Sequence, residues 1–303
     1  MSTCDADHAL EALSLLDTVD LAGLNAEAEL QTRVDRKYLV PLSDLAGVID
    51  ALPAGMRVLD LGGERSLRYA SQYFDTPRLD SYFGAVHGRR RRFKVRARSY
   101  LDSGGAFLEV KTRGARSATV KERVPVSLDA TADALDDDAV SYATELLTDA
   151  GIPGAAGLAT ALVPVLVTRY RRTTLLLPAS DDRGPSRGTI DTELLWLTGT
   201  GEGGRMLRLP NRVIVETKSG QRAGALDREL WRRGHRPATV SKYGTGMAAL
   251  HPSLPSNRWN RVLARHFARA SISAVSATKP TDLDAGAAAL RRREARRALA
   301  SAR

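Results

Sequence analysis

The sequence predicts an α+β fold, a closed eight-stranded antiparallel β-barrel with helices packed around it. Three observations point there. Eight short runs alternate in character with period two, separated by clusters of Gly, Pro, Asp and Ser. In seven of these runs one face is charged and the other apolar. Helical stretches are few and fall between the runs.

Residues 1–29 read as an acidic, partly helical lead-in, with Leu10, Leu13, Leu15 and Leu16 as a short apolar stripe. The main domain is expected over residues 30–250. Its strands fall near 32–40, 66–75, 90–100, 106–113, 119–126, 164–176, 187–196 and 211–218. Asp102-Ser103-Gly104-Gly105 and Arg113-Gly114-Ala115 supply hairpin signals. A helix starts at Ser43 as N-cap and ends before Pro53. Another covers about 132–149, and a third runs from Leu226 to Arg233, stopped by Gly234. Residues 251–269 are expected as a C-terminal helix, with the helical pattern at 256–269. Residues 270–303 read as a Ser/Thr/Ala/Pro-rich linker followed by a basic tail.

Composition narrows the function. The 303 residues carry 45 Lys and Arg against 35 Asp and Glu, a formal charge of +10. Such a surplus of positive charge predicts an anionic partner. Cys4 is the single cysteine, which excludes an internal disulfide framework and a CxxC metal site. The acidic N-terminus makes a poor signal peptide, and no apolar run approaches the ~18 residues of a membrane span. The expected location is therefore the cytoplasm, with a peripheral position at a membrane as an alternative.

Two motifs mislead. Gly199-Thr200-Gly201-Glu202-Gly203-Gly204 matches GxGxxG, but Arg205 to Pro210 is no helix start, and a dinucleotide site needs a helix there. A flexible hairpin loop is the better reading. Gly184-Pro185-Ser186-Arg187-Gly188 matches GxSxG, but the following TIDTELLW reads as a strand, so a turn is preferred to a nucleophile elbow.

The charged faces carry the chemical signal. Arg90, Arg92, Lys94, Arg96 and Arg98 share one face of their strand, against Phe93, Val95 and Ala97. Glu109, Lys111 and Arg113 align in the next strand, and Lys121 with Arg123 in the one after. Arg169 aligns with Arg171, and Arg187 with Thr189, Asp191 and Glu193. Arg212, Glu216 and Lys218 align, as do Arg33, Asp35 and Lys37. One such strand is ordinary surface. Seven together, each with one apolar face to bury, imply that the apolar faces pack outward on helices and the charged faces meet inside. Buried cations without partners are costly, so that interior expects a polyanion such as a phosphate chain. The few carboxylates, Glu216 and Glu109 among them, make sense as ligands for a divalent cation bridging phosphates.

At these residues the sequence resembles the VTC (vacuolar transporter chaperone) polyphosphate-polymerase domain, within the CYTH-like triphosphate tunnel metalloenzyme superfamily. The motifs are DRKYLV (35–40), QYFDT (72–76), KVRARSY (94–100), LEVKTR (108–113), KERVPV (121–126), VTRYRR (167–172), IDTEL (190–194), VIVETKSG (213–220) and VSKYGTG (240–246). They fall in the family's order. The resemblance implies an eight-stranded tunnel that transfers the ATP γ-phosphate to a growing polyphosphate chain, with Mn²⁺ or Mg²⁺ as cofactor. It implies phosphate or catalytic contacts for Lys37, Arg96, Arg98, Lys111, Arg169, Arg187, Lys218 and Lys242, and a metal role for Glu216. Asp35, Arg92, Lys94, Arg113, Lys121, Arg123, Arg171 and Ser241 are expected to line the substrate path. The superfamily's first-strand E-x-E-x-K is here Arg33-x-Asp35-x-Lys37, which has one carboxylate and moves the chain away from the hydrolytic members. The basic residue that eukaryotic members can carry just before the S-K pair is not evident in ATVSKY.

The expected partners are ATP and polyphosphate. A channel-coupled function would need a membrane-protein partner. The rival readings are a triphosphatase or nucleotidyl cyclase of the same fold, a non-catalytic polyphosphate binder, and a nucleic-acid-binding module. The run Arg89–Arg92 favours the last, but aromatics at 5% and the lack of a stacking pattern count against it.

Overall fold

A single large antiparallel sheet carries the architecture of the computed structural model, which describes residues 11–13, 15–28, 34–113, 119–126, 134–180, 184–199 and 203–274. The chain begins with β1 (Asp17–Val19), α1 (Leu21–Glu27), β2 (Val34–Pro41), α2 (Leu42–Asp50), β3 (Arg57–Leu59) and β4 (Leu67–Asp75). It continues through α3 (Asp80–Val86), β5 (Arg92–Tyr100), β6 (Gly105–Arg113), β7 (Thr119–Pro125), α4 (Asp137–Asp149) and α5 (Ala155–Thr160). Then come β8 (Val163–Leu177), β9 (Ser186–Thr198), β10 (Arg205–Arg208), β11 (Arg212–Ser219), α6 (Ala225–Arg232) and α7 (Lys242–Leu250). The described chain ends with α8 (Asn260–Val262), a π-helical turn at Leu263–Phe267 and β12 (Ser271–Ala274).

The eight predicted strands are present as β2, β4, β5, β6, β7, β8, β9 and β11, in the spatial order β7-β6-β5-β4-β8-β9-β11-β2. The barrel is not closed: among the described residues β2 and β7 do not pair. The inner faces of these two edges carry Lys37 on β2 and Lys121 with Arg123 on β7, and like charges on facing edges oppose pairing. The sheet still curls strongly. Lys37 lies near enough to Lys94 on β5 and Lys111 on β6 to lower the proton affinity of both. The result is a tunnel-like groove. At the other margin β10 pairs with the last residues of β9, and β12 pairs with β10.

The apolar faces do pack outward on helices. Tyr38, Val40, Val213, Val215 and Ile190, from β2, β11 and β9, pack on Leu45, Val48 and Ile49 of α2 and on Leu226 and Leu230 of α6. Phe93, Val95, Leu108 and Val110 pack on Ala139, Ala143 and Leu147 of α4 and Ala159 of α5. Asp227 of α6 pins the first of these contacts. It accepts from Tyr38 Oη at 2.7 Å, Thr217 Oγ1 at 2.5 Å and Gly224 N at 3.0 Å.

A third cluster fills one end of the inner face. Leu39, Ile214, Leu194, Trp196 and Leu166 meet Met247, Ala248 and Leu250 of α7. The glycines of α7 make that contact possible. A Cβ on Gly244 would lie 2.2 Å from Trp259, and one on Gly246 2.3 Å from Trp196. Trp196 Nε1 also donates to the Lys242 carbonyl at 2.8 Å, fixing the start of α7 against β9.

Several boundaries differ from expectation. Ser43 is not the N-cap of α2. Pro41 turns the chain straight from β2 into the helix, and Ser43 Oγ donates to Asp44 instead. α4 starts at Asp137, with Asp136 accepting from Ala139 N at 2.8 Å as its cap. α6 ends at Arg232, and Gly234 takes φ +82° just beyond it. In place of a helix over 256–269 stand the short α8 and the π turn. The expected linker begins with β12, whereas residues 275–303, with the basic tail, lie outside the described residues, as does Arg33. α1 falls in the lead-in expected to be partly helical, whereas α3, α5, α7, β1, β3, β10 and β12 were not foreseen. No helix among the described residues is long and apolar enough to cross a membrane.

Candidate functional site

Strand register puts the charged side chains face to face across the groove wall. On β5 and β6, Arg92 opposes Arg113, Lys94 opposes Lys111, and Arg96 opposes Glu109. On β6 and β7, Lys111 opposes Lys121 and Glu109 opposes Arg123. On the far wall Lys37 opposes Glu216, Asp35 opposes Lys218, and Arg187 opposes Lys218.

Three carboxylates organise these cations. Glu109 is 3% exposed and takes Arg96 Nε at 2.8 Å, Arg96 Nη2 at 2.6 Å and Lys121 Nζ at 3.1 Å, with Arg98 Nη1 at 3.6 Å. Burial alone would raise its pKa, but Arg96, Arg98 and Lys121 outweigh burial and hold it at about 2. Asp191 is fully buried. It accepts two bonds from Arg172, at 2.6 and 2.8 Å, and a third from Lys242 Nζ. Those two cations overcome its burial and keep it ionised well below the usual carboxylate range. Glu216 has a looser environment, with Lys37 Nζ 3.8 Å away. Burial opposes its charge, yet Lys37, Lys218, Arg172 and Lys242 bring its pKa to about 2.

The lysines remain under-compensated. Lys94 has its pKa pushed well down by burial and then by Lys37, Arg96, Lys111 and Arg92. Its Nζ donates to Ser241 Oγ at 3.0 Å. Burial and the neighbouring Lys37 and Arg96 lower Lys111 as well. Tyr170 faces the same space. Its hydroxyl has no hydrogen-bond partner among the described residues, and Arg98, Arg172 and Lys242 together outweigh burial and lower its pKa. Among the described residues Lys94 and Lys111 thus lie in a part of the groove short of counter-charge, an environment that favours an anion beside them.

α7 points its N-terminus into this space. Ser241 is its cap, accepting from Gly244 N at 3.2 Å, so this side chain both starts the helix and holds Lys94. Lys242 lies 4.1 Å above the Tyr170 ring. Asp75 secures the same helix from behind. It accepts the N–H groups of Thr76, Ser81 and Tyr82 and the hydroxyl of Tyr243.

The structure corrects the frame of one strand. Arg169 and Arg171 were expected inside, but they fall on the outer face of β8. Tyr170 and Arg172 face in, because the residues paired with inward Tyr69 and Ser71 are Tyr170 and Thr168. Arg171 bonds Ser66 and lies 3.8 Å from Glu193. A bulge opposite this point, with Glu193 at φ +51°, turns Glu193 out to solvent and off the face of Asp191. Arg172 was missed because the sequence offers no frame here: Leu175, Leu176 and Leu177 are all apolar and step back by two to Arg169 and Arg171 as readily as to Arg172. Arg123 lies over the Phe107 ring at 4.9 Å. Arg212 lies away from the cation cluster, beside His235 and His266.

The carboxylates differ as candidate metal ligands. Glu109 does not fit, since three cations already occupy it. Glu216 fits better, with one direct ion pair among the described residues, at 3.8 Å. No group of three or more His, Cys, Asp or Glu side chains that could cage an ion exists among the described residues. A divalent ion here would resemble Mg²⁺ on a nucleotide, held by one carboxylate while phosphates and water complete its shell.

A curled antiparallel sheet with a cationic inner face and helices outside defines a class of anion-binding tunnel proteins. The family comparison is more specific: residues 32–251 match the VTC domain, and the chain belongs to that family. No curated protein matches it. Among solved structures it is similar to a putative adenylate cyclase from Bacillus halodurans, at 13% identity and a TM-score of 0.40, covering 69% of this chain and 94% of that one. It is also similar to a putative adenylyl cyclase from Hippeastrum described as having a dominant triphosphatase activity, at 14% identity and a TM-score of 0.40, covering 75% of this chain and all of that one. A putative adenylate cyclase from Vibrio parahaemolyticus is similar at 11% identity and a TM-score of 0.33, covering 67% and 84% of the two chains.

Proposed function

We propose that this protein is a metal-dependent polyphosphate polymerase that transfers the γ-phosphate of ATP to a growing polyphosphate chain. The observation that carries this reading is the length of the cation row. On β5 alone, Arg92, Lys94, Arg96 and Arg98 line about 20 Å of groove at ~3.3 Å per residue, longer than one triphosphate. Across from them stand Lys111, Arg113, Lys37, Arg187 and Lys218. A second anionic chain needs this extra charge, whereas hydrolysis of one triphosphate does not.

Phosphoryl transfer asks the protein mainly for position and charge neutralisation. Arg96 and Arg98, set by Glu109, and Arg172 and Lys242, set by Asp191, hold phosphate oxygens without reorganising. Lys94 and Lys111 gain their missing counter-charge from the substrate. The acceptor is already an anion, so no strong general base is required. Glu216 would hold Mn²⁺ or Mg²⁺, which would supply further neutralisation of the triphosphate.

The test is to incubate the purified protein with ATP and Mn²⁺ and resolve products on a gel stained for polyphosphate. Long chains with stoichiometric ADP support the reading. Orthophosphate and ADP alone would make the protein a triphosphatase, cyclic AMP a cyclase, and tight polyphosphate binding without turnover a binder.

A further inference from the structure

A second group of cations lies at the other end of β11. Arg212 opens this strand opposite Pro41, beyond the apolar end of the groove marked by Leu39 and Ile214. Around it stand His235, just after α6, and Arg265 and His266 of the π turn. The carbonyl of Asn211, next to Arg212, accepts from Leu42 N at 3.1 Å, two residues before the Asp44 that meets His235, and the π turn brings Arg265 and His266 within electrostatic reach of this corner. π turns are rare and recur at functional sites, and this one supplies two of the four cationic or protonatable groups.

Counter-charge is short here. Asp44, on the first turn of α2, reaches His235 Nε2 at 3.2 Å. Arg232 and Arg233 on α6 are bonded to Glu229 at 3.0 and 2.7 Å, and Arg236 donates to the Trp231 carbonyl at 2.7 Å. Arg212 and Arg265 make no ion pair among the described residues, and His266 Nδ1 is buried without a hydrogen-bond partner among them. Burial, Arg212, Arg265 and His235 push the His266 pKa down to about 4. Burial and the same two arginines lower His235 against the pull of Asp44.

We propose that Arg212, Arg265, His235 and His266 form a second oxyanion site, outside the groove, that takes a phosphoryl group. Guanidinium groups offer paired donors that match phosphate oxygens, and each imidazole gains a proton and a donor as the anion arrives. The ligand is either orthophosphate or the terminal phosphate of a polyphosphate chain. This site goes beyond the polymerase reading and does not depend on it, because its readout is local.

The experiment is an NMR pH titration of the histidine ring signals in the full chain, with His266→Gln used for assignment. It is run without ligand, with orthophosphate, with tripolyphosphate, and with sodium chloride at matched ionic strength. An oxyanion beside His266 should raise its apparent pKa by about 1–3 units, as an opposite charge at ~4–6 Å does. The rise should exceed that in sodium chloride and vanish in Arg212→Ala/Arg265→Ala. A response to orthophosphate identifies a single-phosphate site, and a response to tripolyphosphate alone identifies a chain-end site. Equal responses to phosphate and sodium chloride would overturn the proposal, as would a phosphate response that survives the double substitution. Arg265→Ala alone, at an exposed position, guards against misfolding of the double variant and should at least halve the response.

Discussion

The two ends of the groove are made by the same strands and differ in almost every inward residue. At one end β2 presents Lys37, β11 Glu216 and Lys218, β9 Arg187 and Asp191, and β8 Arg172. At the other the same four strands present Leu39, Ile214, Leu194 with Trp196, and Leu166. The change falls within two or three residues on β2, β11 and β9 and takes six on β8, where Thr168 and Tyr170 lie between. α7 sits at this boundary, with Ser241 and Lys242 towards the charges and Met247 and Leu250 in the apolar end. The charged end therefore has a dry, rigid wall behind it. Such a wall keeps water out of one side of the cation cluster and strengthens every charge interaction there. Removing a charge and disturbing the plug should thus have separable effects.

The largest effect is expected where the charged end is fully buried. Asp191→Asn leaves Arg172 and Lys242 facing each other without their shared counter-ion. Breaking a buried pair from one side typically costs ~3–5 kcal/mol. Urea unfolding monitored by Trp fluorescence should show a midpoint well below that of the parent. An unchanged midpoint would mean that solvent, not Asp191, compensates these cations.

Next comes turnover, tested across the corrected frame of β8. Arg172→Ala should lose about 10²–10³-fold, as removal of one preorganised charge-stabilising donor does. Arg169→Ala and Arg171→Ala, on the outer face, should stay within about threefold of the parent. Equal losses in all three would return the outward arginines to the site. Glu216→Gln should keep polyphosphate binding, measured by filter retention, while losing divalent-dependent turnover by at least ~10–100-fold. Full turnover at saturating Mn²⁺ would remove Glu216 from the metal.

A smaller effect tests the plug. Gly246→Ala drives a methyl group into Trp196, and overpacking of this kind costs ~1–3 kcal/mol. The melting temperature should drop while the affinity for tripolyphosphate changes little. Loss of affinity without loss of stability would show that α7 tunes the charged end rather than walling it off.

How much of this was readable in the sequence follows from the same comparison. Period-two alternation located all eight long strands, because each has one face that must be buried. It also put Lys37, Arg96, Lys111, Arg187 and Lys218 on inward faces. It failed at β8, where VTRYRR offers arginines in both frames, the later Leu175, Leu176 and Leu177 are apolar in both, and only the pairing with β4 decides between them. α7 was missed because Lys242 to Leu250 contains two glycines and no helical stripe, and its reason for being helical lies in Trp196 and Trp259. The open seam between β2 and β7 depends on which edges pair, and alternation carries no information about that. Glu109 reads as a metal ligand in one dimension. Only the convergence of Arg96, Arg98 and Lys121 from two neighbouring strands reveals it as already occupied.

The smallest expected effect is in protons, and it separates the two ends most cleanly. Glu109 and Glu216 have folded pKa values of about 2 against an ordinary 4.5. A carboxylate whose pKa is depressed by folding stabilises above its unfolded value, so that contribution is lost as pH falls from about 4.5 through about 2. Lys94 and Lys111 run the other way. Their pKa values are lowered in the fold, so between the folded value and the ordinary 10.5 the unfolded chain binds protons that the folded one lacks, and stability rises with pH there. Tripolyphosphate supplies the counter-charge these lysines are missing, so binding in that alkaline window should take up protons. Calorimetry in two buffers of different ionisation enthalpy measures that uptake, expected as a fraction of one proton up to about one. Lys94→Met should reduce it, while Leu166→Val, which alters only the apolar end, should leave it unchanged. An uptake insensitive to Lys94→Met would place the titrating group elsewhere and would remove Lys94 from the anion path.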